Sequence, residues 1–310
     1  MNAENISLTA PSSFSDVAKI STLASVVVAS LLGIPPNLLS ILLILRAKQS
    51  KSTTTCFLLN LAIADVTNLV ASLMAGIFLF TEHSWYAMDS GDTVGTIDLM
   101  PKAVANVTLA LIALERYNGL VKTMAPFVNI GKGKVKIIVG VTWSVCIGYY
   151  MSTFAYRVMN NGGTTIFVAF FYVNCIATSY VLPLVVVGYC YGKILRGTYH
   201  QGGTILVQNA ANEMATKEKK RFVRIMVVVA VVFMACNLPA IVVKILMITD
   251  NHVSVGDGFA TTLMLLGCVS SVVNPYIYGL HSERYRKQVK RLLRCERSER
   301  TALTNCAEPC

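Results

Sequence analysis

Charge is scarce in this sequence: only 14% of its 310 residues are Asp, Glu, Lys or Arg, against roughly a quarter in an ordinary soluble domain. Apolar residues make up 54%, more than a water-soluble fold of this length can hide, so lipid must solvate much of the chain. Histidine is scarcer still. His83 and His252 fall on one side of the topology derived below and His200 and His281 on the other, which argues against a metal centre. A disulfide framework is also missing. Of nine cysteines, Cys56, Cys146, Cys175, Cys190, Cys236 and Cys268 lie in apolar runs, where they read as small buried side chains, and Cys295, Cys306 and Cys310 lie near the end. The net charge of +11 is spread over short clusters instead of one basic face, which excludes nucleic acid as a partner. The first eighteen residues show no basic segment leading into a short apolar core, so no cleavable leader is expected and the first apolar segment must direct insertion.

Long apolar runs are what the sequence does have. Segments at 19–46, 53–80, 91–121, 134–156, 167–195, 221–249 and 255–280 each reach the roughly 20 residues that cross about 30 Å of hydrocarbon. They must be helices, because lipid offers the backbone no hydrogen-bonding partner and the runs are too long for barrel strands. With the N-terminus outside, all of the 27 Lys and Arg residues except Lys19, Lys102, Arg157 and Lys244 fall at the inner face, as the positive-inside rule requires. The same orientation puts the Asn5-Ile6-Ser7 glycosylation acceptor outside. After the last span, Tyr285, Val289, Leu292 and Leu293 recur at helical spacing among basic residues, which predicts an amphipathic helix on the anionic inner leaflet. Cys295 at its end is a candidate palmitoylation site. The expected fold class is therefore an all-α membrane protein: a seven-transmembrane helix bundle plus a short amphipathic C-terminal helix. Its divisions are an extracellular tail (1–18), the bundle (19–280), a membrane-surface helix (281–295) and a cytoplasmic tail (296–310).

A charge within a span costs at least ~2.5 kcal/mol on insertion scales, so each polar residue there is a functional candidate. The series is ordered: Gly33 and Asn37; Asn60-Leu61-Ala62-Ile63-Ala64-Asp65; Glu115-Arg116-Tyr117; Trp143; Pro183 and Tyr191; Phe233 and Pro239; Asn274-Pro275-Tyr276-Ile277-Tyr278. Taken with its order along residues 33–294, it resembles the rhodopsin-like (class A) G-protein-coupled receptor family. The resemblance implies a plasma-membrane receptor, not an enzyme, that binds an extracellular ligand and activates heterotrimeric G proteins, with arrestin and membrane lipids as further partners. It implies that Glu115 restrains Arg116 at rest, and that Tyr191, Tyr278, Asn274 and Pro275 take part in the activation switch. Asp65, Asn274, Ser270 and Ser271 would form a mid-membrane polar network that in relatives holds sodium and water. Buried polar groups with two arrangements make a bistable element that a ligand can bias.

Departures from the family pattern are informative. Gly91, six residues after Trp85, stands where relatives usually have the cysteine of an outer disulfide, and no outer-loop partner exists. Asn237 replaces a common tryptophan, and Asn106 an aliphatic residue expected near Pro183 and Phe233. Lys219 stands where many relatives have an acid facing Arg116, which implies appreciable basal signalling. Retinal attachment needs a lysine in the last span, where Cys268 stands instead, so no retinal is expected.

The candidate ligand pocket comprises Asp98, Lys102, Cys175, Ser179, Asn237, Ile241, Lys244 and Met264. Asp98 occupies the amine-binding position of amine receptors, but Lys102 lies four residues on, on the same helical face, and can pair with it. The aromatic cage of an amine site is missing at Ala240, Ile241, Met264 and Cys268. A peptide, or a lipid-like or anionic small molecule meeting Lys102 and Lys244, is favoured over an amine. The alternative of a seven-helix transporter or channel using Asp65, Asp98, Lys102 and Glu115 lacks the internal repeat many transporters show. An intramembrane hydrolase lacks a nucleophile–base constellation on one side of the membrane.

Overall fold

A computed structural model describes residues 16–46, 53–81, 91–120, 132–159, 165–200, 213–249, 257–281, 286, 287, 289 and 290. Among them run seven long helices: α1 (Asp16–Arg46), α2 (Thr53–Phe80), α3 (Gly91–Leu120), α4 (Lys132–Met159), α5, α6 (Glu213–Thr249) and α7 (Asp257–His281). The fifth, α5, runs from Thr165–Ile176 through a π-helical turn at Ala177–Val181 into Leu182–His200. The residues between 196 and 220, expected as a connection, are partly helical, since α5 continues to His200 and α6 starts at Glu213. Hydropathy marks where lipid ends; Glu213, Met214, Ala215, Lys217, Glu218, Lys219 and Lys220 are strong helix formers that carry α6 beyond it. Asn5 and Cys295, and most of the expected surface helix, lie outside the described residues. Of that helix, Arg286, Lys287 and Lys290 are helical and exposed and Val289 is half-buried.

The molecule is apolar on its outside. Val28, Leu31, Val145, Leu182, Val185 and Leu238 are all more than half exposed, while Asn37, Asn60, Asp65, Asn68, Asn106, Asn237 and Asn274 are buried. That inversion suits a bundle whose rim faces hydrocarbon. Asp16–Arg46, Thr53–Phe80, Gly133–Thr153, Val173–Ile194 and Arg224–Val243 are each long and apolar enough to cross a membrane, and α7 has a shorter apolar stretch at Thr261–Ile277. The third helix does not pass that test, for a physical reason. From Pro101 to Ala113 almost every residue of α3 is buried against α2, α4, α5 and α6, so it faces protein and tolerates Lys102, Asn106 and Thr108.

Small residues set the closest approaches. A Cβ on Gly33 of α1 would lie 2.5 Å from Leu69 Cδ1 and 2.9 Å from Val272 Cγ2, so glycine is what lets α1, α2 and α7 meet there. One on Gly76 would lie 2.6 Å from Val26 Cγ2.

Prolines supply a second kind of joint. A proline inside a helix has no N–H for the carbonyl four residues before it. Pro36, Pro183 and Pro275 thereby release the carbonyls of Leu32, Ser179 and Ser271. Each is taken by a side chain from another helix. Tyr276 Oη of α7 donates to Leu32 O at 2.9 Å, Asn37 Nδ2 of α1 to Ser271 O at 3.1 Å, and Asn106 Nδ2 of α3 to Ser179 O. At these three prolines a break in one helix's hydrogen bonding is also a tie to its neighbour.

Candidate functional site

At one end of the bundle Arg116 Nε lies 3.1 Å from Glu115 Oε2, and both side chains are about three-quarters shielded. Thr54, at the start of α2, links the pair: its hydroxyl donates to Glu115 Oε2 at 2.9 Å and accepts from Arg116 Nη2. Sequence reasoning missed Thr54, because a threonine at a helix start carries no signal of its own. Tyr191 of α5 is buried within electrostatic range of Arg116. Tyr278 and Lys219 lie on α7 and α6, but their side chains are outside the described residues.

In the middle of the membrane Asn274 Nδ2 donates to Asp65 Oδ2 at 2.8 Å. The Ser271 hydroxyl hydrogen-bonds the Asp65 carboxylate and accepts from Asn68 Nδ2 at 3.0 Å. Asn37 clamps the Ser271 carbonyl, which the following proline, Pro275, has freed. The expected network thus joins Asp65, Ser271 and Asn274 and gains Asn68 and Asn37. Ser270 is placed differently: its hydroxyl donates to Gly267 O at 2.7 Å, within its own helix. One residue of helical rotation, about 100°, separates the face of Ser271 from that of Ser270. Nearby, Asn60 accepts from Trp143 Nε1 and donates to Thr108 Oγ1, both at 2.8 Å, fastening α2, α4 and α3.

Nearer the other end, the residues expected to line one pocket are divided. Asn237 and Ile241 line a cavity of about 300 Å³ between α3, α5 and α6, shared with Asn106, Pro183 and Phe233. The expected closeness of Asn106 to that proline and phenylalanine is thus found. Asn237 Nδ2 donates to Phe233 O of its own helix at 2.8 Å. Cys175 and Ser179 instead meet the buried Tyr150 of α4, whose hydroxyl lies 3.1 Å from Cys175 Sγ and 3.3 Å from Ser179 Oγ. Nothing in the pattern of residues around Tyr150 singles it out. Met264 packs against Val26, Ala29 and Leu69 on the α1–α2 side. Lys102 is buried against α7, where a Cβ on Gly267 would come within 3.0 Å of its Nζ. The side chains of Asp98 and Lys244 lie outside the described residues.

Comparison with known proteins agrees with this arrangement. The sequence model of the family described as "7 transmembrane receptor (rhodopsin family)" matches residues 36–278. Rat somatostatin receptor type 4 is 24% identical over 85% of this chain and 70% of its own length. Mouse thyrotropin-releasing hormone receptor is 23% identical over 90% and 80%, and rhodopsin of the lamprey Lethenteron camtschaticum 25% over 86% and 78%. Among solved structures, squid rhodopsin superposes with a TM-score of 0.74 at 16% identity, covering 95% of this chain and 89% of that one. With a family match over most of its length and the polar joints of α1, α2, α3 and α7 in place, this chain belongs to the rhodopsin family of seven-transmembrane receptors.

Proposed function

We propose that this receptor binds an extracellular ligand and activates heterotrimeric G proteins at the end of the bundle that carries Arg116. The observation that carries the reading is the restraint on that arginine. Glu115 and Thr54 hold a largely shielded guanidinium that, once released, presents charge and five N–H donors to a partner. Tyr191 and Tyr278 then support it in the open arrangement, and arrestin competes for the same face. In this orientation the N-terminus, with Asn5 glycosylated, is outside the plasma membrane, and the C-terminus, with Cys295 palmitoylated, is inside.

A peptide ligand, or an anionic or lipid-like molecule, fits better than an amine. Relatives are named as receptors for thyrotropin-releasing hormone and neuropeptide Y. Lys102, buried on α3, offers a cation facing α7, and Lys244 extends the anion-binding reading. No retinal is part of this reading, because α7 contains no lysine to hold one.

A sodium ion suits the centre of the bundle. The Asp65 carboxylate, the Ser271 hydroxyl and Asn68 Oδ1 are oxygen donors of the kind hard cations prefer, and Asn68 Oδ1 is buried with no hydrogen-bond partner among the described residues. Bound there, the ion would neutralise the carboxylate and hold α2 and α7 in the resting arrangement.

The test is nucleotide exchange on a panel of purified G proteins with the receptor in nanodiscs. Exchange above that of Arg116→Ala is expected before ligand is added, because Lys219 cannot lock Arg116 as an acid would. No exchange on any G protein, with substrate flux in proteoliposomes instead, would replace the receptor reading with the transporter one.

A further inference from the structure

The second half of α5 carries a stripe of residues that the receptor reading does not use. Leu182, Val185, Tyr189, Lys193 and Arg196 follow one another in steps of three or four residues, which keeps all five within about 80° around the helix. The first three are each more than half exposed, and the two cations are exposed as well. On the flank of the stripe, a Cβ added to Gly188 or Gly192 would meet nothing within 4 Å, so among the described residues no other helix covers this face.

Along the stripe the chemistry changes in the order a bilayer does. Leu182 and Val185 are apolar, Tyr189 has an apolar ring with a polar tip, and Lys193 and Arg196 are charged. The apolar span of α5 ends at Ile194, so Lys193 sits at its edge and Arg196 just past it. A lysine at such an edge normally extends toward water. Lys193 Nζ instead lies 5.8 Å from the centre of the Tyr189 ring, one turn back toward the hydrocarbon. Tyr189 is itself held by an edge-to-face contact with Tyr117 of α3, their ring centres 5.9 Å apart. The ammonium is thereby kept where the apolar surface gives way to the polar one, the depth of lipid phosphates.

We propose that this face of α5 binds an anionic phospholipid, its phosphate set between Lys193 and Arg196 and an acyl chain lying along Val185 and Leu182. The two cations, three residues apart, can meet one phosphate together, the guanidinium through paired N–H donors. A zwitterionic lipid has the same phosphate but brings a cation of its own to two others, and a free phosphate leaves the apolar half of the stripe unused. The site requires only that the chain span a bilayer, and stands whichever face of the membrane carries Arg116.

The experiment places the full-length receptor in phosphatidylcholine nanodiscs with a trace of one of two probes, phosphatidylglycerol or phosphatidylcholine, carrying the same diazirine-bearing acyl chain. Mass spectrometry after photolysis locates the labelled residues. Both leaflets contain probe, so a reversed orientation of the chain would not alter the result. The phosphatidylglycerol probe is expected to label residues 182–192 about fivefold or more over the phosphatidylcholine probe, the factor one cation at the membrane surface supplies. Lys193→Gln combined with Arg196→Gln is expected to abolish that preference, and Tyr189→Leu, which lets the lysine swing away, to reduce it. Lys134→Gln combined with Lys136→Gln, which removes as much charge from the exposed start of α4, is expected to preserve it. A smaller preference in the unmodified receptor, an equal loss in the α4 pair, or displacement of the phosphatidylglycerol probe by inorganic phosphate at constant ionic strength overturns the proposal. The first of these outcomes needs no variant to fold.

Discussion

Single side chains in this receptor do two kinds of work, and Thr54 shows the difference between them. Its hydroxyl accepts from Arg116 and donates to Glu115, so one group restrains both members of the pair. A hydrogen bond to a charged group contributes roughly 1.5–3 kcal/mol, enough to shift a two-state equilibrium by about tenfold or more. Thr54→Ala is therefore expected to raise ligand-independent nucleotide exchange about tenfold or more at matched surface expression, and an unchanged basal rate would show that Glu115 suffices alone. Asp65 has the other kind of role, as a buried charge that needs company. Thermal stability of the purified receptor is expected to rise when sodium replaces choline at constant ionic strength, and Asp65→Asn to abolish the rise. At this scale the sequence exposed the charged and amide residues, because a charge in hydrocarbon is conspicuous. It did not expose Thr54 or Tyr150, whose importance depends on what lies opposite. Ser270 and Ser271 look alike in sequence; only the helix rotation sends one to its own backbone and the other to Asp65.

Among the helices the joints are made by glycine and proline. Gly33 lets α1 touch α2 and α7, and a methyl group there must displace Leu69 and Val272. Gly33→Ala is expected to destabilise the bundle by about 1–3 kcal/mol, read as a lower unfolding temperature in detergent. Gly140→Ala is the matched control, because a Cβ there meets nothing within 4 Å, and equal losses in the two would refute the packing argument. The prolines are visible in the sequence, but their role as clamps is not. That Tyr276, Asn37 and Asn106 each reach a proline-freed carbonyl on another helix requires knowing which helices are neighbours. The π-helical turn at Ala177–Val181 was equally silent in the sequence, since it alters hydrogen bonding without changing hydropathy. Helix ends were misjudged in one direction: α5 and α6 continue beyond the apolar segments, because helix propensity does not stop where apolar residues do.

For the whole molecule, orientation is the property on which signalling depends. A tag at the N-terminus is expected to be detected on intact cells and one at the C-terminus only after permeabilisation; both on one side would refute the seven-span topology. The sequence alone determined that lipid is the solvent, that the chain is a helical bundle, and which charged and amide groups lie within it, because the energetics of hydrocarbon act residue by residue along the chain. Tertiary structure alone decided that α3 is central despite its modest hydropathy. It also parted the expected pocket residues among three faces and tied Asn106 of α3 to the Ser179 carbonyl of α5. Those outcomes depend on the rotation and spacing of helices distant in the chain, where a shift of one residue turns a side chain through about 100° to a different neighbour.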